Sequence, residues 1–380
     1  MNYEKNLIVI NESKRKKRDA SVDLLRILAC LIVVCVHTND LAVISLDKSR
    51  IFWAVIFGDG VTIFFLIMGF FLFRGKTLKQ LLKKYIISIA IPALVLMIVS
   101  EATMPLLKNQ MDIKTWMTNC SVNLLEIIRG FFHLNATSTT GHIWYVFSYL
   151  KVLLFSPILN AIVKNKKTTY YVIAINLAML IFKDMKIFFN LNYNVDFFYL
   201  LDVSLLLVLI GNEIYQRKEK LKSNRKIALI SAILLVFLEI IRLIAQYKLY
   251  ERGLNNNQFI TWHSSFACVG ATLISMIFLS ISIKNEKIQN IISYIGERTF
   301  VVYLIHPMII QYFNSHGFLG YLMRKLGCTY DNLITMPLKI EATFILARII
   351  LVFLTSMIIA SFLHEIKKII MLCFKKMKTK

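Results

Sequence analysis

The stretch DLLRILACLIVVCVHTND, residues 23–40, decides the fold class. It is almost entirely aliphatic, and a hydrocarbon core about 30 Å thick takes roughly 20 such residues as a helix. Yet it carries Asp23, Arg26 and His37. Arg26 and His37 are eleven residues apart, about three turns, so they share one face and lie about 16 Å apart along the axis. Asp23, a turn before Arg26, extends the stripe, with Cys30 and Val33 between. Mid-helix Asp or Arg facing lipid costs about 2.5–3.5 kcal/mol. The stripe is therefore expected to face a bundle interior or a wet cavity, and ionisable groups so placed are functional candidates. The same residues also admit a structural reading, with Arg26 reaching the headgroups, Asp23 pairing with it and His37 capping the outer end.

Composition extends this to the whole chain. Of 380 residues, 57% are hydrophobic and 12% aromatic, and the mean hydropathy is +0.63. Soluble domains run about 45–50% apolar, so the chain reads as an all-α integral membrane protein. The net charge of +23 would point to nucleic acid in a soluble protein; here it reads as the basic loops of a membrane protein, and no nucleic-acid partner is expected. Cys30, Cys35 and Cys268 lie in apolar runs and no CxxC or Cys/His spacing occurs, so neither a disulfide framework nor a metal site is expected.

Ten apolar runs are long enough to cross, near 20–45, 51–73, 85–104, 142–163, 169–187, 197–215, 226–248, 261–283, 298–314 and 342–366, the ninth being the shortest and weakest. With the N-terminus inside, the cytoplasmic loops and tails hold 29 Lys and Arg against 12 in the alternate loops. The positive-inside rule then places both termini in the cytoplasm. The expected organisation is a basic tail (1–19), a transmembrane domain (20–366) and a second basic tail (367–380) that can continue the last helix along the headgroups. Residues 121–133 read as a short amphipathic segment outside the membrane.

Further residues stand out as chemistry. FRGKTLKQLLKKYI gathers Arg74, Lys76, Lys79, Lys83 and Lys84 between the second and third spans, suited to anionic lipid or to substrate phosphates. TTGHIWYVFSYL opens the fourth span with His142, Trp144 and Tyr145, as interfacial belt residues or as the lining of a sugar site. GERTFVVYLIHPMII opens the ninth with Gly296, Glu297 and Arg298, then Tyr303 and His306-Pro307. Glu239 and Arg242, one turn apart in the seventh span, read as a structural pair. Phosphate-loop, serine-hydrolase and zinc-protease motifs are missing.

Taken in order, these stretches resemble the membrane acyltransferase-3 superfamily over the whole ten-helix body. RDASVDLLRILACLIVVCVHTND matches its opening pattern of Arg, ten residues, then His. IFFLIMGFFLF resembles its second helix, GHIWYVFSYLKVLLFSPIL the helix with Trp near its start and Pro near its end, and GERTFVVYLIHPMI the Gly…Tyr-Leu-x-His signature. The resemblance implies transfer of an acyl group, usually acetyl, from cytoplasmic acetyl-CoA, a co-substrate rather than a bound cofactor, to a carbohydrate hydroxyl across the membrane. It implies catalytic His37, as general base or transient acyl carrier, with Arg26 and Asp23. Arg74, Lys83 and Lys84 would hold the donor, and His142, Trp144, Tyr303 and His306 the acceptor. Where many members carry two arginines three apart, this chain has Tyr85 and Ser88, with charge moved to Lys83 and Lys84. No esterase-like domain follows the last span, so a stand-alone body acting on a surface polysaccharide or its lipid-linked precursor is expected. Lys-, Ile- and Asn-rich usage suits the plasma membrane of an AT-rich bacterium. A permease for a small polar solute and a scaffold of polysaccharide assembly are the competing classes.

Overall fold

The computed structural model describes residues 18–39, 48–108, 110–119, 141–191, 201–254, 257–325 and 338–378, with positions 125, 127 and 129 besides. Described residues form helices and no strand: α1 Ala20–Thr38, α2 Lys48–Ile56, α3 Gly60–Leu72, α4 Leu78–Tyr85, a π-helical turn Ile86–Ala90, α5 Ile91–Leu107 and α6 Ile113–Asn119. A 3₁₀ turn Gly141–Ile143 leads into α7 Trp144–Val163, then α8 Lys166–Phe189, α9 Val203–Gln216, α10 Lys218–Leu221 and α11 Arg225–Glu251. The chain continues through α12 Ser265–Leu279, α13 Glu286–Ser315, α14 Phe318–Lys325 and α15 Leu338–Lys378. The segment 121–133 falls almost wholly outside the described residues.

Polar residues set the helix starts. Side chains of Asp19, Thr77, Asn165, Asp202, Asn224, Ser264 and Asn285 each accept from a backbone N–H of the helix that follows. Each such cap is worth about 1 kcal/mol and satisfies donors that lipid cannot.

Helices stand at all ten expected positions, but they are not ten equal spans. Among the described residues six stretches are long and apolar enough to cross: Ala20–Thr38, Arg50–Leu72, Leu78–Leu107, Trp144–Val163, Arg225–Glu251 and Lys339–Ile369. α9 and α12, with 14 and 15 residues, are shorter than the roughly 20 residues a crossing takes. α8 carries Lys183, Asp184 and Lys186. The ninth segment is not short: α13 runs 30 residues from Glu286, so most of the expected loop 284–298 is helix. The last helix likewise continues to Lys378.

α1 is central, packed on α13, α3 and α15. Its contacts with α13 run in step: Asp23 beside Gly296, Cys30 Sγ on the Thr299 carbonyl at 3.6 Å, His37 beside His306. The two helices are therefore parallel. Without a hydrophobic drive between helices in lipid, close backbone approach carries association. α3 and α9 provide it through Gly69 and Gly211, where an added Cβ would collide with the carbonyls of Val208 and Leu66. Lipid meets the outer faces, such as Leu229, Ile233, Val236, Phe237 and Ile240 of α11, all exposed.

The second expected span is broken at Gly58-Asp59-Gly60. Buried Asp59 takes Arg242 Nη1 at 3.0 Å, and Glu239 takes the same nitrogen at 3.3 Å. Arg242, 0% exposed, also donates to the carbonyls of Phe259 (2.6 Å), Ile260 (3.2 Å) and Val55 (3.4 Å). The pair read from the sequence is thus a three-residue lock across α3 and α11. Gly58 and Gly270 leave it room: a Cβ on Gly58 would stand 2.7 Å from Arg242 Nη2, and one on Gly270 2.5 Å from Asp59 Oδ2.

Candidate active site

Two poles lie on α1. At its start Asp23, 1% exposed, accepts from Arg26 Nη1 at 2.6 Å and from Arg18 Nε and Nη2 at 2.8 and 2.6 Å. Arg18 also reaches Glu297 at 3.3 Å. Its hydrogen bond and charge interaction with Asp23 raise the Arg18 pKa further. One buried carboxylate thus orients two guanidiniums, and Gly296 is small because a Cβ there would lie 2.8 Å from that of Asp23.

Arg26 and Arg74 both sit over the Phe71 ring, at 5.1 and 4.4 Å from its centroid, and Arg74 also over Tyr215 at 4.9 Å. Cation–π contacts of this kind are worth about 0.5–2 kcal/mol. Exposed Lys84 lies in the field of Lys76 and Arg26. Lys83 instead lines a shallow groove of about 620 Å³ with Leu78, Lys79, Leu82, Ile86 and Ile87. That groove is formed by one helical segment alone and is far from being a shared interior site, so only Arg74 and Lys84 of the expected donor residues gather around Arg26. Close by, Lys218 donates to Asp19, the N-cap of α1. Burial pushes the Asp19 pKa up, but hydrogen bonds from Lys218 and Ser21 outweigh it and hold the carboxyl below its ordinary value.

Three helices converge at the other pole. The His37 and His306 rings are 5.3 Å apart and His142 and His306 5.5 Å. His142 is tied to α13 twice: its Nε2 meets the Leu304 carbonyl at 3.1 Å, and its own carbonyl accepts from Tyr303 Oη. Since a carbonyl only accepts, His142 carries its proton on Nε2. The sequence thus named every histidine of this cluster and Tyr303. Trp144 stands aside from it, stacked at 5.2 Å on Trp262, which lies over His263 at 3.6 Å.

An aromatic tract joins the poles. Tyr149, in the field of Arg26, stacks on Tyr85 at 5.8 Å and meets Tyr145 at 6.4 Å; Tyr145 meets Tyr303 at 5.9 Å. Tyr85, at the first position vacated by arginine, faces this interior and donates to the Val146 carbonyl at 3.0 Å. Ser88, at the second, is exposed, because the π turn changes the helical phase there. Sequence reasoning missed Tyr149, Trp262 and Asp59. Only Asp59 left a signal, the Gly-Asp-Gly interruption of an apolar run. Among the described residues no group of three or more His, Cys, Asp or Glu side chains is arranged to hold a metal ion.

Apolar helices of spanning length around a buried polar core define a multi-pass membrane protein. A family model described as an acyltransferase domain, that of the acyltransferase-3 superfamily, matches residues 19–365, and the chain belongs to this family of membrane acyltransferases. No curated protein matches the chain. No solved structure matches it either.

Proposed function

We propose that this membrane acyltransferase moves acetyl from cytoplasmic acetyl-CoA to a hydroxyl of a surface polysaccharide or its lipid-linked precursor, in a bacterial plasma membrane. The observation that carries the reading is the pairing of a cationic and a histidine pole on one helix, eleven residues or about 16 Å apart, joined by aromatic side chains. Arg26, held by Asp23, and Arg74 receive the donor's phosphates and polar arm, with Lys84 at the mouth and Lys83 toward the headgroups. The thioester extends along Tyr149 and Tyr145 toward His37. An acceptor sugar enters at the opposite end, over the Trp144–Trp262 stack, and presents its hydroxyl to His37, His142 and His306, with Tyr303 behind them. A neutral imidazole takes the hydroxyl proton.

The loop charges support ten crossings with both termini inside. The parallel run of α1 and α13 agrees with these being the first and ninth crossings. A permease reading would use the broken helix at Asp59, but Arg242 already fills that break.

The test is proton NMR of surface polysaccharide from cells with the gene, without it, and complemented with His37→Ala. An O-acetyl methyl signal seen only with the intact gene supports the proposal. An unchanged spectrum in all three, with polysaccharide present, rejects surface acetylation.

A further inference from the structure

Pro307 follows His306 directly, and the order has a consequence. In a helix the N–H of residue 307 would donate to the carbonyl four residues earlier, that of Tyr303. Proline has no N–H, so this buried carbonyl loses its partner. His306 supplies one from its side chain: Nδ1 lies 2.7 Å from the Tyr303 carbonyl and 3.3 Å from that of Val302. Both oxygens can only accept, so Nδ1 carries the proton, and in a neutral imidazole Nε2 is then a bare lone pair. The ring is 0% exposed, and among the described residues nothing hydrogen-bonds its buried Nε2. A buried acceptor left unmade costs about 1–3 kcal/mol and calls for an explanation. With Nδ1 turned to its own helix, ring geometry sends Nε2 away from α13, on the side where His37 and His142 approach within 5.3 and 5.5 Å.

We propose that His306 is the catalytic residue that takes the acceptor's proton, and that Pro307 is the positioning residue that holds it in the required tautomer. The inference rests on the acyl-transfer reading above and assigns the base within that site. The acceptor O–H breaks, its proton passes to His306 Nε2, and the oxygen bonds to the thioester carbonyl carbon. The C–S bond then breaks, and the imidazolium returns its Nε2 proton to the leaving thiolate, giving free thiol and ester. Throughout, the Tyr303 carbonyl keeps the Nδ1 proton.

His306→Asn separates catalysis from structure, because the asparagine amide N–H₂ stands where Nδ1 stood and still serves the Tyr303 carbonyl, while Nε2 is removed. The full-length protein, purified in detergent, is assayed for thiol release from acetyl-CoA with polysaccharide isolated from cells lacking the gene. The expected result is a kcat lower by about 10²-fold or more, with the acidic limb of the pH–rate profile gone and donor KM little changed. Histidine ¹⁵N NMR, with the His306 signal assigned by its loss in His306→Asn, is expected to show the Nδ1-protonated tautomer. Pro307→Ala, which restores a competing N–H, is expected to mix the tautomers and lower kcat several-fold. Wild-type kcat and an unchanged acidic limb in His306→Asn, or an Nε2-protonated ring in the wild type, would overturn the assignment. Wild-type protein that releases no thiol beyond background would sink the acyl-transfer reading itself, and this arm needs neither variant.

Discussion

Asp23 holds two arginines with one carboxylate, so a change there is felt twice. Asp23→Asn keeps the shape and removes the charge; donor KM is expected to rise about tenfold, checked by acetyl-CoA titration of thiol release. Arg26→Lys tests geometry at constant charge. Lysine lacks the planar fork and stacks poorly on Phe71, so a similar rise in donor KM with little loss of folded protein is expected. The Asp59–Arg242 pair behaves differently, since it touches neither pole. Removing Asp59 takes the nearer carboxylate from buried Arg242 and leaves only Glu239; a buried charge left wholly unpaired costs about 3–5 kcal/mol, which sets the upper bound. Asp59→Ala is therefore expected to lower the melting temperature of the purified protein by several degrees or prevent its recovery, and a variant that melts like wild type would refute the lock. These residues were unequally legible. The Arg26–His37 spacing is a property of one helix, so it was readable directly. Asp59 was hidden because Gly-Asp-Gly interrupts a run whose average hydropathy remains that of a span. Its partner Arg242 lies 183 residues away, where no local pattern reaches.

At the scale of elements, two contacts bear most on the site. α3 must lie against α9 for Phe71 and Tyr215 to flank Arg74, and Gly69 and Gly211 permit that approach. Gly211→Leu is expected to abolish monodisperse protein in size-exclusion chromatography, whereas substitution of exposed Ile233 on α11 by leucine is not. The start of α1 is tied to α10 by Asp19 and Lys218. The carboxyl's depressed pKa means that this tie stabilises fully above its unfolded value of about 4 and is lost as pH falls through the folded value. On the alkaline side burial lowers the Lys218 pKa, but Asp19 more than offsets it and the net shift is upward. The tie is therefore lost there as pH rises through that raised value. Element boundaries were the least legible part. Asn285 caps α13 with its side chain, but the charges at 284–298 made the same segment read as a loop. The π turn was invisible, because nothing in IISIA distinguishes it from α-helix, so no sequence signal marked Ser88 as facing outward while Tyr85 faces the interior.

For the whole molecule, the sequence supplied the class, the central helix and the histidines, while their convergence needed tertiary structure: residues 37, 142 and 306 come from three distant segments. Topology is the natural global test. With the native cysteines replaced, Lys222→Cys is expected to react with a membrane-impermeant thiol reagent only from the cytoplasmic side and Arg252→Cys only from outside. Labelling of both from one side would overturn ten crossings. The parallel register of α1 and α13 also has a metric consequence. Because one rigid helix carries both Arg26 and His37, and its neighbour is keyed to it at Gly296, Thr299 and His306, the separation of the poles is a fixed measuring rod. Under the proposed function, a donor is then expected to be selected by the length of its handle as much as by its charge. A thioester on a truncated arm, such as N-acetylcysteamine, would reach the histidines only by forgoing the arginines.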